Sequence, residues 1–220
     1  VSLRDVDGDT HLDVVVLNRG SATITIFLGD GAGVFAAPAT LAAPTNARDM
    51  TIEDLNGDAL PDIAVTASAT GEVWVYLGTG SGSFATPSPY PANGTPSGLV
   101  AATVNGDSIP DLLVANTTPH AVSVLVGHGD GSFAAPVSVR TEVSPTGLAA
   151  GDLNGDGAMD FAAANARAIS IHLGNGDLSF GSQENTYEVG PGHKVIAVAD
   201  LDHDGALDLA ITSRKGDTLS

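Results

Sequence analysis

Hydrophobic and polar positions alternate in four copies along the chain. One face carries Ile24, Ile26 and Leu28, then Val73, Val75 and Leu77, then Val122, Val124 and Val126, then Ile169, Ile171 and Leu173. The other carries Thr25 and Phe27, Trp74 and Tyr76, Ser123 and Leu125, and Ser170 and His172. A period of two is the geometry of a β-strand, and the variable second face is where the copies can differ in partner. Each alternating strand follows a nearly continuous apolar run, at 14–17, 63–65, 112–115 and 161–164, and a fifth such run stands at 209–211. Runs this short cannot hold as helices, and their apolar continuity predicts strands covered on both faces. Alanine-rich segments at 99–103, 147–152 and 194–200, with a remnant at 1–4, predict an entering strand where neighbouring sheets crowd together. A glycine ends each alternating strand six residues before a phenylalanine: Gly29 and Phe35, Gly78 and Phe84, Gly127 and Phe133, Gly174 and Phe180. Pairs such as Asp30-Gly31 and Asp130-Gly131 between them supply the positive φ of tight hairpins. The phenylalanine is expected to anchor a fourth strand, which Pro38, Pro87 and Pro136 place at a sheet edge.

Five acidic stretches punctuate these strands, beginning at Asp5, Asp54, Thr103, Asp152 and Asp200, so that successive starts lie 49, 49, 49 and 48 residues apart. Four strands per unit of this length describe a propeller blade. The expected fold is all-β: a β-propeller of four-stranded antiparallel blades forming one array over 1–220, with units at 1–47, 48–96, 97–145, 146–193 and a partial 194–220. The fifth unit stops after its second strand, near Ser213. A seven-blade ring would need about 340 residues, so the chain reads as an incomplete arc of four to five blades from a larger propeller, the alternative being a small ring with an irregular seam. An arc leaves apolar blade faces open to self-association.

In every loop the oxygen donors fall at relative positions 1, 3, 5 and 9, with the position 7 carbonyl between them. The candidate ligands are Asp5, Asp7, Asp9, His11 and Asp13; Asp54, Asn56, Asp58, Leu60 and Asp62; Asn105, Asp107, Ile109 and Asp111; Asp152, Asn154, Asp156, Ala158 and Asp160; and Asp200, Asp202, Asp204, Ala206 and Asp208. Hard oxygens on alternate residues around a glycine bend suit a six- to eight-coordinate Ca²⁺ better than Mg²⁺, which demands stricter octahedral geometry. Up to five sites are expected, the third the weakest because Thr103 replaces a carboxylate. An EF-hand is excluded: position 12 holds Val16, Val65, Val114, Ala163 and Ile211 rather than glutamate, inside strands rather than beside helices. Turn formation alone would explain one or two acidic residues per loop, not carboxylates fixed at positions 1, 5 and 9.

The Asp-Leu-Asn-Gly-Asp-Gly run at 152–157, the apolar strand after it and Gly-Asp-Gly-Ser-Phe at 129–133 resemble the FG-GAP repeat, in its bacterial form the VCBS or FG-GAP-like repeat, related to the blades of integrin α-subunit propellers. The resemblance covers essentially the whole chain and implies calcium at the loop positions named above. It departs from the pattern at Thr103 and at His203, which replaces the position 4 glycine, a change Gly205 is expected to offset. It implies no single activity, since members serve as adhesion domains, ligand-binding modules and non-catalytic parts of larger secreted proteins.

Composition narrows the function further. A net charge of −18 disfavours nucleic acid and anionic membranes, yet 16 of the 26 acidic residues are loop ligands awaiting cations. There is no cysteine, and no apolar run long enough to insert into a bilayer. A chain beginning at Val1 reads as a mature form or an excised fragment. The six histidines (His11, His120, His128, His172, His193, His203) lack metal-ligand spacing, and no nucleophile elbow or phosphate loop occurs. The expected function is a non-catalytic, calcium-binding recognition, adhesion or scaffolding module, secreted or on the cell surface of a bacterium, with an unidentified protein or glycan ligand. The alternatives are a lectin using Trp74, Tyr76, Tyr90 or Tyr187, or an accessory part of a secreted enzyme. Asn93-Gly-Thr95 and Asn116-Thr-Thr118 match glycosylation acceptors.

Overall fold

The computed structural model describes residues 1–141, 144–165, 167–181, 185–189, 192 and 194–213; His193 lies outside them. The segments with strand patterning are strands, since short β-branched runs gain more from packing on a pleated surface than from a helix they are too short to nucleate. In the first blade β1 (Ser2–Arg4), β2 (Asp13–Asn18), β3 (Thr23–Phe27) and β4 (Ala39–Ala42) pair antiparallel in chain order. The second blade is built from β5 (Ala47–Glu53), β6 (Asp62–Ala67), β7 (Glu72–Tyr76) and β10 (Ser88–Pro91), with a small hairpin of β8 (Gly78–Gly80) and β9 (Ser83–Phe84) before the last strand. The third comprises β11 (Pro96–Ala102), β12 (Asp111–Asn116), β13 (Ala121–Leu125) and β14 (Val137–Arg140), and the fourth β15 (Gly147–Gly151), β16 (Asp160–Ala164), β17 (Ala168–His172) and β18 (Asn185–Glu188). A final pair, β19 (Lys194–Ala199) and β20 (Asp208–Ser213), opens the fifth blade. No helix occurs among the described residues, and none is long and apolar enough to cross a membrane.

The first strands β5, β11, β15 and β19 pack side by side and form the inner wall of an arc, leaving the proline-flanked fourth strands at the outer edges. Their small side chains (Ala101, Ala102, Ala149, Ala150, Gly151) permit that approach. Four apolar clusters fill the spaces between successive blades, and the second strands divide between them by alternation: Ile63 and Val65 face the first blade while Ala64 faces the third. Leu112 and Val114 likewise face back, and Leu113 and Ala115 forward. Burial on both faces is thus the reason these strands are uninterruptedly apolar. No apolar cluster joins the first and fifth blades among the described residues, and Leu3 at one end (60% exposed) and Val195 at the other (71%) stay open.

Two expectations are corrected. In the second to fourth blades the variable face of the third strand is no partner surface, because it packs against the preceding blade. Tyr76 is buried and its hydroxyl donates to the Ala42 carbonyl at 2.8 Å, burial pushing its pKa up to about 12. Ser123 donates to the Ala92 carbonyl at 2.8 Å, and His172 stacks on Phe161 with ring centroids 4.6 Å apart. Nor does the phenylalanine anchor the fourth strand. It returns to the end of the third as a bridge partner of the glycine (Gly29 to Phe35, Gly127 to Phe133, Gly174 to Phe180), and Phe84 pairs with Gly78 in the same way. In blades two to four its ring then packs into the interface with the blade before, as Phe84, Phe133 and Phe180; Phe133 meets Tyr90 edge-on at 5.3 Å. Phe35, with no preceding blade among the described residues, is 46% exposed.

Candidate metal centres

Each acidic loop joins a first strand to a second, so all five lie on one rim of the arc. Position 9 is the first residue of the second strand, and Asp13, Asp62, Asp111 and Asp160 are fully buried. A buried carboxylate is tolerable only when its oxygens find donors. One oxygen of each accepts the position 2 backbone N–H: Val6 (2.7 Å), Leu55 (2.8 Å), Val104 (3.0 Å) and Leu153 (2.8 Å). The other accepts the N–H of the glycine ending the third strand: Gly29 (2.8 Å), Gly78 (2.7 Å), Gly127 (2.9 Å) and Gly174 (2.8 Å). Position 9 therefore rivets the loop to the third strand, and each oxygen keeps a further lone pair for a cation. The glycine is obligatory for a second reason: a Cβ there would stand 2.5 Å from the position 8 carbonyl oxygen of Leu12 or Pro61, 2.3 Å from that of Pro110 and 2.2 Å from that of Met159. Sequence reasoning read these glycines as hairpin signals and missed both roles, although their offset from position 9 is nearly constant.

Positions 1, 3 and 5 form a ladder of side-chain to backbone turns. Asp5 accepts the N–H groups of Gly8 (2.7 Å) and Thr10 (2.8 Å), and Asp54 and Asp152 do the same at positions 4 and 6 of their loops. Position 3 accepts from position 5, and position 5 from position 7, as in Asp58 to Asn56 (3.1 Å) and Leu60 to Asp58 (2.8 Å). These bonds fix the turn of each loop; they do not bring position 5 into a group with the carboxylates of positions 1, 3 and 9, for Asp9 and Asp204 stand outside those groups, Asp9 bonding His11 instead. Positions 4 and 6 are both left-handed in every loop, with Thr10, Ala59 and Ser108 at φ of 75°, 67° and 65°. Gly205 relieves position 6 of the fifth loop but not position 4, where His203 itself takes φ 65°, so the expected offset does not occur. The third loop lacks the position 1 bonds because Thr103 has no carboxylate.

Among the described residues three carboxylates converge, with oxygens within 4.8 Å of one another, at Asp5, Asp7 and Asp13 and again at Asp200, Asp202 and Asp208. These are the loops with aspartate at position 3; in the other three an asparagine amide turns to position 5, as Asn154 to Asp156 at 2.8 Å. The Asp200 Oδ1 atom is buried without a hydrogen-bond partner. An orphaned carboxylate oxygen beside two further carboxylates fits a hard cation. Burial raises the carboxyl pKa of Asp7, Asp62 and Asp111 above the usual range, whereas the Gly157 N–H helps hold Asp152 below it. The loops also meet the next blade: Gly57 approaches the Gly129 carbonyl and Gly106 that of Gly176, so whatever stiffens a loop stiffens an interface.

Of the remaining candidates, Tyr76 is buried, Trp74 is half-buried and bonded to Glu72, Tyr90 is half-buried against Phe133, and Tyr187 is 54% exposed. Asn116 is buried and donates to the Ala92 carbonyl, which removes it as a glycosylation acceptor; Asn93 is exposed.

No curated protein sequence matches the chain. Among solved structures, a lectin from Agrocybe aegerita described as recognising non-reducing terminal N-acetylglucosamine is 21% identical with a TM-score of 0.61, over 86% of this chain and 51% of the lectin. The BBS1N structure in complex with ARL6DN is 14% identical with a TM-score of 0.65, over 96% of this chain and 61% of that one. The Photorhabdus luminescens Tc holotoxin pore is 19% identical with a TM-score of 0.56, over 98% of this chain and 11% of that one. The chain thus spans less than two thirds of each of these structures, and at such identities they establish the fold alone. The FG-GAP-like repeat matches at 5–65, 54–114, 104–163 and 152–211. These four overlapping matches coincide with the acidic loops and the strands that follow them, and the chain belongs to the FG-GAP-like repeat family.

Proposed function

We propose that the chain is a calcium-stabilised, non-catalytic recognition module acting outside the cell, where millimolar Ca²⁺ fills its loops. The observation that carries this reading is the unpartnered, buried Asp200 Oδ1 beside Asp202 and Asp208; the same three loop positions converge at Asp5, Asp7 and Asp13, where the Asp5 and Asp13 oxygens also accept backbone N–H groups. Ca²⁺ would be held by positions 1, 3, 5 and 9 and would supply structural charge neutralisation rather than chemistry. The ligand is a glycan or a protein surface; the glycan reading has the support that a lectin shares this fold. The test is a glycan array and a panel of extracellular-matrix proteins probed in millimolar calcium and after chelation. Calcium-dependent binding is expected, and its complete absence from both would overturn the reading.

Calcium dependence carries a pH signature. A carboxyl whose folded pKa lies above its unfolded value, as at Asp62 and Asp111, contributes stability that is complete below the unfolded value of about 4 and is lost as pH rises through the folded one. The metal-free chain is therefore weakened by these groups as the pH leaves the acid range, while calcium needs them ionised. The calcium-induced rise in melting midpoint should widen between about pH 4.5 and pH 7. Melts with calcium and with chelator at each pH check this, and a constant gap would contradict it.

A further inference from the structure

We propose that the concave centre of the arc, on the rim opposite the acidic loops, is a binding site for an acidic saccharide, a sugar carrying carboxylate or sulfate. The proposal rests on the recognition-module reading and deepens it. The inner strands begin on this rim and enclose a cavity of about 760 Å³ that reaches from Arg19 in the first blade to Val195 in the fifth, within the roughly 300–1,000 Å³ typical of ligand sites.

Charge is unevenly divided between the two rims, with Asp49, Glu72 and Glu188 the acidic residues among the described strands on the rim opposite the loops. The 16 loop carboxylates occupy one. Of the described arginines, Arg4 lies there and is paired with Glu53 at 2.7 Å, while Arg19, Arg48, Arg140 and Arg167 sit at strand ends on the other. Arg19 and Arg48 line the cavity, are exposed, and pair with no carboxylate among the described residues. The one lining carboxylate, Asp49, is engaged by the N–H groups of Leu99 (3.0 Å) and Met50 (3.0 Å). Two free guanidinium groups in an acidic protein make a local site for an anion.

The hydroxyl lining turns the choice from a bare anion to a sugar. Ser97 donates to the Ala115 and Pro145 carbonyls at 3.1 Å, Thr146 to Ala164 at 3.2 Å, Thr117 to Thr95 at 3.3 Å, and Ser68 to Pro96. With its hydrogen committed to the backbone, each hydroxyl offers the cavity lone pairs alone. Acceptors repel a simple anion but accept hydrogen bonds from sugar hydroxyls. Val195 and Ile196 add an apolar wall suited to the C–H face of a pyranose.

Calorimetric titration of the calcium-loaded chain with a glucuronate-containing oligosaccharide, its methyl ester, and a sulfated galactan oligosaccharide that carries no carboxylate tests this and separates carboxylate from sulfate. At least one acidic sugar should bind, with the glucuronate form, where it is the ligand, at least about tenfold tighter than its ester. Arg19→Ala and Arg48→Ala should each weaken binding about tenfold or more with an unchanged melting midpoint, while Arg140→Ala and Arg167→Ala on the same rim change it less than about twofold. Equal weakening by all four arginines would mean diffuse charge attraction and overturn the site, as would binding that survives the Arg19, Arg48 double variant. If neither acidic sugar binds but a neutral glycan or a protein does, the assignment falls and the recognition reading stands; if nothing binds in calcium, both fall.

Discussion

Stripping calcium from the chain should lower its unfolding midpoint by about 12–24 °C. A ligand that binds the folded state alone stabilises it by RT ln(1 + [L]/Kd), about 1.4 kcal/mol per site when free calcium is ten times the dissociation constant, a regime reached in millimolar calcium by extracellular modules with Kd near 10⁻⁴ M. Four loops carry the full set of oxygen donors, giving about 6 kcal/mol in sum, and each kcal/mol moves the midpoint of a chain of this size by about 2–4 °C. The loss should propagate, because a loop such as 54–62 abuts the hairpin of the next blade through Gly57 and Gly129 and repeat arrays are stabilised through neighbour interfaces. Circular dichroism melts with calcium and with chelator measure the effect. A shift below about 2 °C would remove calcium from the structural account.

Gly78→Ala should be among the most damaging single substitutions, at about 2–4 kcal/mol. The new Cβ would lie 2.5 Å from the Pro61 carbonyl oxygen, a backbone atom with nowhere to go, and displacing either partner breaks the 2.7 Å bond from the Gly78 N–H to Asp62. The Asp62 carboxylate, fully buried, would lose one of its two backbone donors, so calcium affinity of the second loop should fall together with stability. Gly20→Ala is the control, since no atom lies within 4 Å of its Cβ position, and it should be close to neutral. Urea unfolding of the two variants decides the matter; equal midpoints would show that the close approach is not required.

Strand identity was legible because it is written locally. Alternation at 24–28 or 73–77 and unbroken apolar character at 112–115 each mark a strand within a few residues, and repetition at 49 residues multiplied the signal. Which neighbour a face meets was not legible. Tyr76 and Ser123 look like free variable positions until the preceding blade supplies the Ala42 and Ala92 carbonyls they bind, and those contacts join residues more than thirty positions apart. The loop ligands were found by type and spacing, but the double duty of Asp62 and its equivalents was hidden, as its second donor comes from the far end of the third strand. Arg19 and Arg48 escaped notice for a different reason: they occupy non-equivalent positions of two repeats, so a search by period cannot bring them together, whereas curvature of the arc does.

Calorimetric titration of the chelator-stripped chain with CaCl₂ addresses the loops most directly. Four or five ions should bind per chain, with one site lost in an Asp152→Ala, Asp156→Ala double variant and the others kept. Binding of no ion, or a stoichiometry unmoved by that variant, would contradict the assignment of these loops as the metal centres.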